Sequence, residues 1–273
     1  MQAGARVIVM RVHSPSELLN AYDTQLRTDA EMPSAIAVSC LGPLRLVTFA
    51  HGRGFVTYQH LEGADAKTIR TWVTEALEHY RQDPRITRVE WKTRSHDTAP
   101  GLHNALLDHG FVPDPLESIM IGQARSLDVT VPLPEGVTLR RVSDTDDVRA
   151  MSAMQDKAFG EPVSAEMADA LLRRLALGDG MELWVAEANG DIVSAGRLEP
   201  VAHTEFAGIW GGATLKAWRG RGIYRALTAA RARSAVAQGK TLIHSDSTEY
   251  SRPILERAGL TQVSSTTPYR WHR

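Results

Sequence analysis

Gly211-Gly212-Ala213-Thr214-Leu215-Lys216-Ala217-Trp218-Arg219-Gly220-Arg221-Gly222-Ile223-Tyr224-Arg225-Ala226-Leu227 reads as a strand, a tight basic glycine loop and the start of a helix. Gly220 and Gly222 let the backbone turn sharply and come close to a ligand. The helix that follows turns Ile223, Leu227 and Ala230 inward and offers unpaired N–H groups at the positive end of its dipole. Such a loop suits a pyrophosphate, and Arg219 and Arg221 add charge that binds phosphate oxygens more strongly than neutral donors do. The stretch lacks the Gly-Lys-Ser/Thr ending of a nucleotide triphosphatase loop, and no Gly-x-Gly-x-x-Gly begins near Gly220. A different pyrophosphate cofactor is implied.

Working outward, the residues around this loop alternate between strands and helices. Strands are expected at 137–142, 182–188, 192–198, 206–215, 241–245 and 262–267, with Asn189-Gly190-Asp191 marking a hairpin. Ser143 is expected to cap a helix bearing Val148, Met151, Met154 and Ala158, and further helices are expected at 165–177, 223–238 and 252–258. Upstream, short β-prone runs at 35–39, 44–49 and 55–58 precede a helix capped by Asp65 with Ile69, Trp72, Val73, Ala76, Leu77 and Tyr80 on one face. A strand at 88–92 and a helix at 102–109 follow. Residues 124–136 contain Val129, Val131, Pro132, Pro134 and Gly136 without helical periodicity, an extended connection that divides the chain into domains 1–125 and 126–273. A weak repeat links the halves: residues 105–111 resemble 254–260, each reading as a short helix closed by glycine and a hydrophobe.

Composition narrows the class. The chain has 273 residues, 43% hydrophobic and 23% charged, with a formal net charge of -1, the profile of a folded water-soluble protein without an overall basic field for nucleic acid. A single cysteine, Cys40, excludes an intrachain disulfide framework and is expected to be an ordinary packed residue in a reducing compartment. The apolar run 7–10 is too short for a signal-peptide core, and no uncharged stretch approaches about 20 residues, so a cytoplasmic protein without a membrane segment is expected. His96, His103 and His109 lack the spacing and acidic companions of a helical metal site, and no metal is expected; His244, inside a strand, reads as a structural hydrogen-bonding residue.

Arg219-Gly220-Arg221-Gly222-Ile223 resembles the Arg/Gln-x-x-Gly-x-Gly/Ala coenzyme A loop of the GNAT superfamily of N-acetyltransferases, and residues 251–260 resemble that family's later strand-helix-Gly-hydrophobe element. The likeness covers residues 137–271, while the first half resembles a degenerate GNAT unit without the loop, as in tandem members of the mycothiol synthase type. It implies an α/β (α+β) fold of two GNAT-like domains, each a mixed, mostly antiparallel sheet flanked by helices. It also implies acetyl-CoA, or another acyl-CoA, as co-substrate, entering a wedge where strand 206–215 splays from 241–245. The pyrophosphate would rest on the N–H groups of Arg219, Gly220, Arg221, Gly222, Ile223 and Tyr224, and the pantetheine arm on Ala213, Thr214 and Leu215. A primary amine of a small-molecule or peptide acceptor would attack the thioester directly in a ternary complex. Neither nucleic acid nor membrane partners are implied, and a monomer or a homodimer is compatible with the family.

Three residues depart from the family pattern. Tyr224 stands at the final Gly/Ala position of the loop, Leu255 where many members have a proton-donating Tyr, and Gly211 near the position that often holds a carboxylate base. Asp246 and Glu205 are the acids left to serve as base, Tyr250 and Tyr269 the phenols that could replace the missing one, and Trp210 is placed in the acceptor pocket. Arg225, Arg231 and Arg233 are expected on a solvated helix face. The missing carboxylate and phenol keep open a non-catalytic acyl-CoA binding or sensing protein, and beyond it a purely structural one.

Overall fold

The computed structural model describes residues 13–273, so the apolar run 7–10 lies outside the described residues. The first half contributes α1 (Pro15–Gln25), β1 (Ala37–Leu41), β2 (Leu44–Phe49), β3 (Arg53–Thr57), α2 (Ala66–Gln82), β4 (Arg88–Arg94), α3 (Leu102–Asp108), β5 (Val112–Pro113), β6 (Glu117–Gln123) and a short α4 (Ala124–Leu127). The second contributes β7 (Val137–Val142), α5 (Thr145–Phe159), α6 (Glu166–Leu175), β8 (Glu182–Ala188), β9 (Asp191–Pro200), β10 (Phe206–Thr214), α7 (Ile223–Ala237), β11 (Leu242–Ser247), α8 (Arg252–Arg257) and β12 (Thr261–His272). The architecture is the expected mixed α/β one, with a large, mostly antiparallel sheet flanked by helices.

Local chemistry explains many of the boundaries. The Asp65 carboxylate accepts from the Thr68 N–H at 2.8 Å, and α2 buries Ile69, Val73, Ala76, Leu77 and Tyr80, while Trp72 is only partly buried. Asn189 and Gly190 both have positive φ, the geometry a two-residue hairpin between β8 and β9 demands. The cap of α5 is Asp144 rather than Ser143, because the Asp144 carboxylate reaches the Asp147 N–H at 2.9 Å. Four elements escape the pattern reading: α1, β5, β6 and α4, the last a one-turn helix at the start of the stretch 124–136 that reads as extended, where Ala124 and Leu127 are buried. α1 begins with a capping box of Ser14 and Glu17 around Pro15, a signal present in the sequence. β6, with buried Ser118, Ile119, Met120 and Ile121, is a continuous apolar run of a central strand.

The sheet order is β1-β2-β3-β4-β12-β6-β11-β10-β9-β8-β7, with β5 added against β12. The halves therefore exchange strands. β12, at the C-terminal end, lies between β4 and β6 of the first half, while β6 pairs along β11 from Leu242↔Gln123 to Ser247↔Ser118. The internal repeat has a structural counterpart. β3 pairs in parallel with β4 across α2, and β10 in parallel with β11 across α7. Each unit ends alike: Phe111 N–H donates to Leu106 and Leu260 N–H to Leu255, both at 3.0 Å, after the positive-φ Gly110 and Gly259.

One face of the sheet is covered by α2, α3, α4, α7 and α8, and the other by α1 near the centre and α5 and α6 over the second half. Cys40 is exposed on the edge strand β1, not packed as its residue type suggested, because nothing among the described residues pairs beyond that edge. Chains 1–125 and 126–273 expressed separately are expected to aggregate, since each then exposes long unpaired edges, and to recover native far-UV circular dichroism and a single size-exclusion peak only when co-expressed.

Candidate active site

The site begins where two strands part. β10 pairs with β11 only through Phe206↔Leu242, Ala207↔Ile243 and Gly208↔His244, after which the strands diverge. Against β9, β10 keeps register to Trp210, slips across Gly211 and Gly212, and resumes at Ala213↔Ala195. Gly211, at φ 58°, makes this bulge, and its carbonyl accepts from Gln155 on α5. The resulting wedge opens toward the loop that connects β10 to α7.

That loop has the form a bound anion requires. Gly222 at φ 81° is the N-cap residue of α7 and no side chain caps the helix, so its first N–H groups point outward unclaimed by a side chain. Gly220, at φ 75°, has open space where a Cβ would stand. Arg219 is partly committed: its Nε donates to Thr214 O at 2.9 Å and its Nη2 to Ala158 O at 3.0 Å, clamping the loop to β10 and α5. The Arg221 guanidinium lies over the Trp218 ring, 4.9 Å from its centroid. Ile223 is buried, and the Tyr224 ring packs so closely on Gly212 that a Cβ there would meet it at 2.6 Å. The bulky residue at the loop's end is thus matched by a missing side chain on β10.

On the opposite face, beside α1 and α6, lies a cavity of about 870 Å³. Tyr22, Glu31, Glu90 and Lys92 line it from the first half, and Arg174, Arg197, Glu199, Trp210, His244 and Asp246 from the second. Lys92 Nζ contacts Asp246 Oδ2 at 2.8 Å and Glu31 Oε1 at 3.5 Å, while Arg94 also pairs with Glu31. Burial works to raise the Glu31 pKa, but Arg94 and Lys92 outweigh it and hold the carboxyl below its ordinary value. His244 is buried against the edges of Phe206 and Trp210, at centroid distances of 5.6 and 5.1 Å, and neither ring nitrogen has a hydrogen-bond partner. It is not the hydrogen-bonded structural histidine its strand position suggested. Burial pushes its pKa down to about 4.

The family model for the Acetyltransferase (GNAT) family matches residues 148–259, which span α5 through α8. Residues 148–259 are thus the part of the chain similar to the GNAT family. No curated protein matches the chain. Among solved structures, a GCN5-related N-acetyltransferase from Kribbella flavida is similar at TM-score 0.65 and 16% identity, covering 95% of this chain and 96% of that one. One from Sphaerobacter thermophilus has TM-score 0.62 at 19% identity, covering 96% and 94%. A tandem GNAT protein from the clavulanic acid biosynthesis pathway has TM-score 0.61 at 13% identity, covering 94% and 95%. The GNAT fold thus extends over nearly the whole chain.

The two halves differ at the corresponding helix start. In the second half the helix after the parallel strand starts at an uncapped glycine; in the first half, α2 starts at the Asp65 carboxylate, which repels an anion. The space beyond the β3·β4 pairing is filled. Arg94 donates to Thr57, Arg27 to the Tyr58 carbonyl at 3.1 Å and to Asp97 at 2.7 and 3.0 Å, and Tyr58 is fully buried.

Several sequence expectations are redistributed. Asp246 and Trp210 reach the cavity, but Glu205 does not: it sits at the closed end of β10, accepting from Gln25 at 2.8 Å and from Thr241 at 3.2 Å, and ties α1 to the sheet. Tyr269 packs in the first half's core with its hydroxyl 2.6 Å from His103, Tyr250 is exposed, and Leu255 is fully buried, so none brings a phenol to the wedge. Arg225 and Arg233 are exposed, Arg233 beside Asp128, but Arg231 is 1% exposed. It donates to the carbonyls of Leu227, Arg197 and Trp210 beneath the bulge, and burial lowers its pKa to about 10. No helix among the described residues is long and apolar enough to cross a membrane, and those residues contain no His/Cys/Asp/Glu group able to hold a metal ion.

Lys92→Met leaves Asp246 and Glu31 short of a cation in a mostly buried setting and is expected to cost about 3 kcal/mol at neutral pH by urea unfolding. The depressed Glu31 pKa gives a signed pH dependence. Its contribution is fully present above the unfolded value of 4.5 and is lost as pH falls through the lower folded value, so stability drops below that pH, less steeply in Glu31→Gln.

Proposed function

We propose that this protein is an acyl-CoA-dependent N-acetyltransferase that transfers the acetyl group of acetyl-CoA to a primary amine held between its two halves. The observation that carries this reading is the junction of the β10/β11 fork, the uncapped glycine start of α7 and the cavity on the opposite face. When bound, the donor supplies an activated acyl carbonyl and a thiolate leaving group. The N–H groups of Gly220, Arg221, Gly222, Ile223 and Tyr224, beside Arg219, take the pyrophosphate charge, and Ala213, Thr214 and Leu215 line the path of the pantetheine arm. The bulge at Gly211 and Gly212 takes two residues out of register with β9, and backbone N–H groups left unpaired there would serve the developing oxyanion.

The first half acts as a wall of the acceptor cleft rather than as a second catalytic unit. α1 and the Lys92 side of β4 close a cavity within the size range of small-molecule sites, and its mixed charged and apolar lining suits a small primary amine. Asp246, paired with Lys92, and Trp210, at the mouth of the fork, belong to this acceptor side. Absence of a phenol at Leu255 supports a second reading, a protein that binds acyl-CoA without turning it over. Thiol release with a panel of primary amines separates the two.

Calorimetric titration with acetyl-CoA is expected to give saturable binding to the wild type and none to Gly222→Glu, which sets a carboxylate at the start of α7. Failure of the folded wild type to bind would overturn the proposal.

A further inference from the structure

We propose that the His244 ring is the base that takes the proton of the acceptor amine, with Asp246 Oδ1 receiving a second N–H of the same amine. The inference rests on the acyl-transfer reading above. His244 is the last residue of β11 paired with β10, directly opposite Gly208, so it stands at the apex of the fork. Asp246, two residues on, is on the same face of the strand, and both line the cavity. Neither His244 Nδ1 nor Nε2 has a partner although the residue is only 8% exposed, and Asp246 Oδ1 is likewise buried and unpartnered while Oδ2 is held by Lys92 at 2.8 Å.

Orphaned buried polar atoms are costly, and their presence on two side chains that line one cavity points to a ligand that pairs with the acceptor nitrogen of the ring and with Asp246 Oδ1. An amine is such a ligand: it has N–H groups for the carboxylate and a proton for the ring. The ring is already aimed. Phe206 and Trp210 meet it edge to face, and Gly208 leaves room, since a Cβ there would lie 3.0 Å from Nε2. The charged groups acting on the ring are Asp246 on its own strand, Lys92 on β4, Glu31 after α1 and Glu199 on β9. Burial keeps the imidazole neutral near pH 7 and so able to accept a proton.

The step balances. The neutral amine's lone pair forms the C–N bond to the thioester carbonyl, one N–H proton passes to His244, and the C–S electron pair leaves with sulfur. The imidazolium then returns its proton to the thiolate, so one amide and one thiol are produced and His244 is neutral again.

The test uses the full chain, acetyl-CoA and n-butylamine, with wild type, His244→Gln and Asp246→Asn compared. Calorimetry with acetyl-CoA is expected to be equal in all three, which separates this inference from the donor site. Thiol release is expected to fall about 100-fold or more in kcat for His244→Gln, with loss of the acid limb of the pH profile, whereas Asp246→Asn raises the KM for the amine. Turnover within about threefold of wild type in His244→Gln, with an unchanged pH profile, overturns the assignment. If wild type binds acetyl-CoA without acetylating n-butylamine, histidine ring NMR decides: a shift of the His244 signals on adding the amine supports the site, and no shift overturns it. Absence of acetyl-CoA binding to wild type overturns the donor reading and this step with it.

Discussion

Every buried backbone N–H and C=O must be paired, and in this protein the central strands meet that requirement across the two halves. β12 supplies partners to β4 on one side and β6 on the other, and β6 in turn completes β11. The sheet is thereby continuous, and the relative position of the halves is set by hydrogen-bond register instead of by side-chain packing between separate bodies. Lys92 reaches Asp246, and α1 closes the cavity, because β12 and β6 hold β4 at a fixed number of strands from β11.

The same construction accounts for the unequal fates of the repeated units. Both contain a parallel strand pair crossed by a helix, and both end in the same glycine-capped turn. Only the second leaves its fork open and its helix start uncapped. In the first, buried Arg27, Arg94 and Tyr58 fill the corresponding space, and the acids that neutralise the cations, Asp97 and Glu31, are close enough to be structural in their own right. The first unit instead supports one wall of the cavity, where a charged lining needs partners held in place by a rigid sheet.

The glycine loop was legible because its signal is local: two glycines, two arginines and a helix start within a few residues. The capped helix α2, the Asn189-Gly190 hairpin and the paired helix endings at Gly110 and Gly259 were legible for the same reason. α1 carried a readable capping box at Ser14 and Glu17, while β6 could be read only as an apolar run without a destination. Arg231 defeated the helical charge pattern, since burial of a guanidinium depends on carbonyls from β9 and β10 that no helix periodicity reveals.

The sequence by itself determined the class of elements, the basic glycine turn and the likeness between the halves, because dihedral preferences, capping and dipoles act over a handful of residues. Only the tertiary structure decided that the strands are exchanged, that Glu205 ties α1 down instead of facing the cavity, and that His244 stands unpartnered at the fork. Those outcomes depend on which strands become neighbours, and that is settled by long-range pairing and by the desolvation of groups far apart in the chain.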